Sequence, residues 1–363
     1  MRNINVISIV TQLPPAIDGV GDYALNLARQ LRQDFNIKTH FIVGNPTWNG
    51  TVDIEGFAVS QVTKRSANAL IAVLSRDRSS AVLLHYVGYG YANRGCPVWL
   101  VEGLQRWKVL SPSQPLVTMF HELYAFGPIW TSQFWTSPLQ RNLATRLIRL
   151  SDNCLTSKQG YAEIIRKFSQ GLHSQIPTLP VFSNIGEPEH VSPLAERSSR
   201  LVVFGSHGPR SRVYQRSRLT LERVCRELEI KEIIDIGPKL DFDIESVNGT
   251  SVTSLGTRPP EEISKILSTS MVGFFDYHIE FLAKSGIFAA YCAHGVVPIG
   301  VSYQGKDTDE LTAGKHYWLA DKLLEKMNLL EAQVIAYNAH AWYCQHNLSA
   351  HASTFANYLS VAF

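Results

Sequence analysis

Two successive stretches of this chain alternate short β-branched runs with longer helical periods, and that alternation limits the fold more than any other feature. Ile4–Val10 reads as a buried strand. Tyr23–Arg32 reads as a helix with Ala24, Leu27, Ala28 and Leu31 on one face, and Lys38–Val43, Ser80–Leu84 and Leu116–Phe120 as further strands. The pattern restarts after a Pro- and Ser-containing stretch around 183–200. Strands are expected at Leu201–Gly205, Glu232–Ile236, Met271–Phe275 and Val296–Gly300, and helices at Leu219–Leu228, Glu261–Ser268 and Ser285–Ala293. Strand–helix–strand order predicts parallel sheets covered on both faces. A chain of 363 residues exceeds one typical core, so two α/β domains are expected, with a boundary within 183–196. Ligands of such sheets bind beyond the carboxyl ends of the strands, where helix N-termini expose backbone N–H groups. A cleft between the two domains is the default site.

Composition narrows the class. The net charge of +3 is too small to argue for nucleic acid as a partner. The five cysteines stand singly, at no metal-ligand spacing, and their odd number speaks against a disulfide framework. A cytoplasmic location is expected. The apolar run at Ile4–Val10 is too short for a signal peptide or a spanning helix.

After the first strand, Gly19, Gly21 and Ala24 match the spacing of a dinucleotide fingerprint. That fingerprint wants a tight turn directly after the strand and an acidic residue ending the second strand. Here Thr11–Asp18 intervene, and the second strand ends in Val43-Gly44-Asn45-Pro46, so an NAD-dependent dehydrogenase is a weak reading. The alternatives are a glycine loop approaching a donor phosphate and a plain helix start with Asp18 near the cap.

Taken together, several segments resemble the retaining glycosyltransferases of the GT-B fold, the family 4 type. They are Leu13-Pro14-Pro15 with Gly19-Val20-Gly21-Asp22-Tyr23, then His121-Glu122-Leu123-Tyr124, Thr156-Ser157-Lys158-Gln159, Ser183-Asn184-Ile185-Gly186, Ala293-His294-Gly295 through Gly300, and Trp342-Tyr343. The resemblance covers nearly the whole chain. It implies two Rossmann-like domains facing a cleft: an acceptor-side domain over 1–190, a nucleotide-sugar-binding domain over 191–340, and a terminal helix over 341–363 crossing back to the first. It also implies transfer of a hexose from a UDP- or GDP-linked donor to a hydroxyl acceptor with retention of configuration, using no metal and no separate cofactor.

The candidate residues follow. His121, just past an apolar strand, and Glu280 are the catalytic candidates, since in similar enzymes a histidine here lies near the transferred sugar. Asp22, Glu122 and Tyr89 are candidates for the acceptor side. Aromatic faces such as those of Tyr86, Tyr89 and Tyr91 pack on sugar C–H surfaces, and equally well in a core. The loop Gly205–Arg212 follows a strand, and guanidinium forks suit phosphate oxygens. Arg210 and Arg212 therefore join Gly19, Gly21, Lys284, Ser285 and Gly286 as diphosphate candidates. Arg216 and Arg218 read as a solvated basic turn. The sequence departs from the family at its usual glutamate pair, where Leu282 and Ala290 stand. That departure supports a second reading, a catalytically silent nucleotide-sugar-binding partner. A sugar phosphorylase of similar architecture would be a much larger chain. Phe126, Trp130, Phe134 and Trp135 precede a basic helix, Arg141–Leu150. Such a composition suits a peripheral membrane contact, although a core-facing helix with solvated arginines is the more usual outcome.

Overall fold

The run Asn5–Val10 forms β1, with every residue after Asn5 buried. β2 (Lys38–Val43) and β5 (Ala81–Tyr86) pair with it in parallel on either side. In a computed structural model, which describes residues 5–76, 80–301, 308–320 and 327–360, the chain divides into two units. The first comprises residues 1–179 with 348–363, and the second residues 180–347. Ile4, at the start of the first expected strand, and residues 361–363 of the expected terminal helix lie outside the described residues.

The first unit completes its sheet with β3 (Asp53–Ile54), β4 (Phe57–Gln61), β6 (Leu116–Phe120) and β7 (Asn153–Thr156), in the order β3-β4-β2-β1-β5-β6-β7. Only the short β3 runs antiparallel to its neighbour. The helix after β1 is longer than the apolar period suggests, Gly19–Phe35. The Asp18 carboxylate accepts from Val20 N at 2.9 Å and adds a turn at its start, a cap worth about 1 kcal/mol. Its buried face includes Ala24, Leu27, Ala28 and Leu31. The helix Leu348–Ser360, carrying His351, packs against it.

The second unit repeats the plan with β8 (Ser198–Phe204), β9 (Glu232–Ile236), β10 (Ser246–Val247), β11 (Thr250–Gly256), β12 (Ser270–Phe275), β13 (Val297–Gly300) and β14 (Trp318–Leu319), in the order β10-β11-β9-β8-β12-β13-β14. Setting aside the short antiparallel edge strands β3 and β10, each sheet reads 3-2-1-4-5-6, the doubly wound order of a Rossmann-like domain. The order reverses between β1 and β5 in the first sheet and between β8 and β12 in the second. Ligands of such sheets sit at that reversal.

Two expectations need correction. Residues 207–215 are a helix, not the continuation of a glycine loop. The basic helix expected at Arg141–Leu150 starts earlier and runs Ser132–Leu150; it faces the core through Leu143, Ala144, Leu147 and Ile148, while Phe126, Trp130, Phe134 and Trp135 are exposed.

Candidate functional site

In the first unit, β6 delivers His121 to the carboxyl edge, where its N–H donates to Tyr86 O at 3.0 Å. The His121 ring is buried and stacks on His85, the two joined by a hydrogen bond of 3.1 Å between His85 Nδ1 and His121 Nε2. Burial pushes the pKa of His85 down to about 3, so this partner is neutral throughout the physiological range. Tyr23 packs edge-on against His121, ring centroids 4.9 Å apart, and its hydroxyl is 2.7 Å from His351 Nδ1. The result is a cluster of three imidazoles and one phenol, all buried. Asp22 precedes Tyr23 in the first helical turn. Burial, reinforced by the Asp18 charge, lifts its pKa to about 6.

The glycines of this loop have local reasons to be small. A Cβ on Gly21 would lie 2.1 Å from Gln12 O, whereas Gly19 is exposed with open space around it. Asp18 itself accepts from Val20 N and Gly21 N. Tyr89 is half-exposed, and its hydroxyl accepts from Gln140 Nε2 at 3.2 Å. Glu122 is partly buried behind His121.

In the second unit, two carboxylates organise the edge. Asp235 on β9 is gripped by Arg210 through both Nε (3.0 Å) and Nη2, and receives the Tyr214 hydroxyl at 3.0 Å. Arg210 and Asp235 are both almost fully buried. This ion pair fastens the helix His207–Gln215 to the sheet, so the Arg210 guanidinium has a structural partner rather than an open face. Asp276, the residue after β12, accepts from Ser217 Oγ at 2.6 Å, from Arg216 Nε at 3.1 Å and from Arg212 Nε at 3.4 Å. Arg216 is thus an ion-pair partner of a buried acid and not a merely solvated charge. The Arg212 side chain keeps 40% of its surface exposed.

These helices meet at the reversal between β8 and β12. Gly205 adopts φ +129, a region few residues other than glycine reach, and a Cβ there would lie 2.5 Å from Ile287 Cδ1. The start of the helix Gly286–Ala293 therefore abuts the turn that opens the helix His207–Gln215. Ser285 caps the former by accepting from Phe288 N at 3.2 Å, and Gly286 is exposed with open space around it. Lys284 closes the preceding 3-10 turn, Ile279–Lys284, which also carries the partly buried Glu280. A small pocket lies here, lined by Phe204, Arg210, Asp276, Tyr277, Ser285 and Ile287.

No family model matches the chain, and no curated protein matches it in sequence. Solved structures do match. An alpha-glucosyltransferase in complex with UDP and a 13-mer DNA containing a HMU base aligns over 99% of this chain and 100% of its own, at a TM-score of 0.62 and 10% identity. The lipopolysaccharide outer core galactosyltransferase WaaB aligns over 99% and 100%, at 0.57 and 10%. A putative UDP-N-acetylglucosamine 2-epimerase from Listeria monocytogenes aligns over 98% and 95%, at 0.57 and 14%. The fold is GT-B. At these identities the likeness carries the architecture and leaves the chemistry to the residues.

Within this GT-B chain, His121, Glu122, Asp22, Tyr89, Gly19 and Gly21 belong to the first unit, and Arg210, Arg212, Glu280, Lys284, Ser285 and Gly286 to the second. Leu282 and Ala290, where the family resemblance implies acids, are packed in the core. His351, Asp235 and Asp276 escaped the sequence reading, and Tyr23 and His85 were met there without a role of their own. For Asp235 a signal existed: a charge inside an apolar strand demands a partner, and Arg210 was there to supply it. For His351, 328 residues from Tyr23, no local pattern pointed to the contact.

Proposed function

We propose that this protein is a glycosyltransferase that moves a hexose from a nucleoside-diphosphate sugar to an alcohol acceptor with retention of configuration. The observation that carries the reading is the reversal between β8 and β12, where two helix N-termini border one pocket and the half-exposed Arg212 reaches Asp276, a residue of its lining. Unpaired N–H groups at helix starts and a forked guanidinium are a diphosphate site in general form. The donor is UDP- or GDP-linked, and Arg212, Lys284, Ser285 and Gly286 hold its phosphates. UDP appears in the names of several fold neighbours, which supports a nucleotide of this kind.

In the reaction, the bond from the anomeric carbon to the β-phosphate oxygen breaks, and the acceptor oxygen bonds to the same face of that carbon. The acceptor proton passes to the departing phosphate, and the nucleoside diphosphate leaves. His121 positions the sugar and acceptor hydroxyls by hydrogen bonding, with Glu280 near the sugar and Asp22, Glu122 and Tyr89 on the acceptor side. The neutral His85 behind His121 holds that ring in place through their hydrogen bond.

A second reading, a catalytically silent protein that binds a nucleotide sugar, is favoured by the apolar packing of Leu282 and Ala290. The test is a thermal-shift panel of UDP, GDP, ADP and their hexose conjugates, with NAD and NADP alongside. A ligand at 100 times its Kd stabilises the fold by about 2.7 kcal/mol. A shift with one diphosphate series supports the proposal and names the base, while a shift with NAD alone overturns it. Slow hydrolysis of the stabilising donor without acceptor separates an enzyme from a silent binder.

A further inference from the structure

The aromatic surface preceding the basic helix has no role in the reading above. Phe126, Trp130 and Trp135 are 74%, 83% and 68% exposed, and Ile129, Phe134 and Leu139 stand out beside them. Large apolar side chains gathered in this way on a water-facing surface mark an interaction site. Its construction is firm. The turn Pro128–Thr131 is closed by Thr131 N and Oγ1, both donating to Pro128 O. The indole N–H of Trp135 donates to Ile129 O at 3.0 Å. That ring can therefore leave water without stranding a polar hydrogen.

Charge indicates what covers this surface. No Asp or Glu occurs between Glu122 and Asp152, while Arg141, Arg146 and Arg149 do. At 3.6 residues per turn, Phe134, Trp135 and Leu139 share the outward side of the helix Ser132–Leu150 with Arg149, opposite the buried Leu143, Ala144 and Leu147. The exposed Arg141 lies on the flank with its guanidinium over the Phe168 ring, and Arg149 Nε donates to Phe168 O at 3.1 Å. The first half of that side is aromatic and the second half cationic. Exposed Arg94 lies alongside, since its backbone carbonyl accepts from Gln140 of the same helix. The apolar groups form a projecting turn and helix start, a shape that enters a soft medium. Trp and Phe above an arginine flank is the composition of a surface lying in a lipid headgroup layer.

We infer that Phe126–Leu139 docks this protein on an anionic lipid bilayer, the rings of Phe126, Trp130 and Trp135 entering the headgroup boundary and Arg141 and Arg149 facing lipid phosphates. Contact is peripheral: among the described residues, no helix is long and apolar enough to cross a membrane.

The experiment is flotation of the full chain with phosphatidylcholine vesicles, with and without phosphatidylglycerol, at low and high salt. The wild type is expected to float with the anionic vesicles and to be released by salt. Its tryptophan fluorescence should be quenched by lipids brominated along the acyl chain. Trp130→Ser with Trp135→Ser should weaken flotation by at least about tenfold, while the far-UV spectrum and melting temperature stay those of the wild type. Arg141→Glu with Arg149→Glu should abolish the preference for phosphatidylglycerol. No flotation with either vesicle, or flotation and quenching that the tryptophan variant leaves unchanged, overturns the inference. So does a concentration-dependent dimer that this variant dissolves in the absence of vesicle binding, which would assign the surface to a second copy of the chain.

Discussion

The two sheets have one strand order and opposite electrostatics at their carboxyl edges. Beyond β5 and β6 the first unit gathers imidazoles and a phenol, with a carboxyl at Asp22 that ionises late. On β9 and just past β12 the second unit buries two aspartates and surrounds them with Arg210, Arg212 and Arg216. The scaffold fixes where side chains converge, and the residue placed just past each strand decides what can be held there. A neutral, hydrogen-bonding edge suits a hydroxyl. A cationic edge between helix starts suits a diphosphate.

The contrast can be broken most forcefully at its buried ion pair. Arg210→Ala leaves Asp235 charged in the core of the second unit and should cost about 3–5 kcal/mol, read by urea denaturation. A loss below about 1 kcal/mol would mean that the helix His207–Gln215 does not depend on this clamp. Next comes His121→Ala. Hydrolysis of the bound donor should slow about a hundredfold with donor Kd nearly unchanged, and an equal change in both would move His121 from the reacting centre to the donor pocket. Arg212→Ala should weaken binding of the nucleoside diphosphate about tenfold or more with little loss of stability, because the buried Asp276 keeps Arg216 and Ser217 as partners. Unchanged affinity would remove the phosphate assignment.

The smallest effect concerns Asp22. Its pKa is raised from 3.8 to about 6, so the folded chain holds this proton more tightly than the unfolded chain does. The associated stability is complete below pH 4 and lost as pH rises through 6. Asp22→Asn should therefore raise stability at pH 7 by about 1 kcal/mol and leave it unchanged at pH 4. Melting curves at both values decide the matter: a gain at pH 4 would point to packing rather than ionisation.

Much of this architecture was readable in advance because apolar strands announce themselves. Lys38–Val43, Leu116–Phe120 and Glu232–Ile236 have the bounds read from the sequence. The helix His207–Gln215 was hidden because its sequence, HGPRSRVYQ, has no apolar period. What binds it to the sheet is a charge pair whose partner lies on another strand. The site was legible in outline, through glycines and basic residues after strands. The partners that position those residues are distant in sequence, as with Asp276 for Arg212 and Arg216, and no local pattern encodes them. The helix after the aromatic run 126–135 faces the core with its arginines in solvent, as the sequence suggested, and only the fold shows that the aromatic residues before it stand in water.

The contact between Tyr23 and His351 has a consequence for how the protein is made. The unit translated first lacks its closing helix, Leu348–Ser360, until residues 180–347 of the second unit have been synthesised. Its histidine cluster therefore assembles last, after the second unit has had time to fold. A nascent chain stalled before residue 348 would carry all the strands of both sheets but lack one helix of the first unit, with the apolar face that receives Phe355 and Leu359 uncovered and open to chaperones or to aggregation.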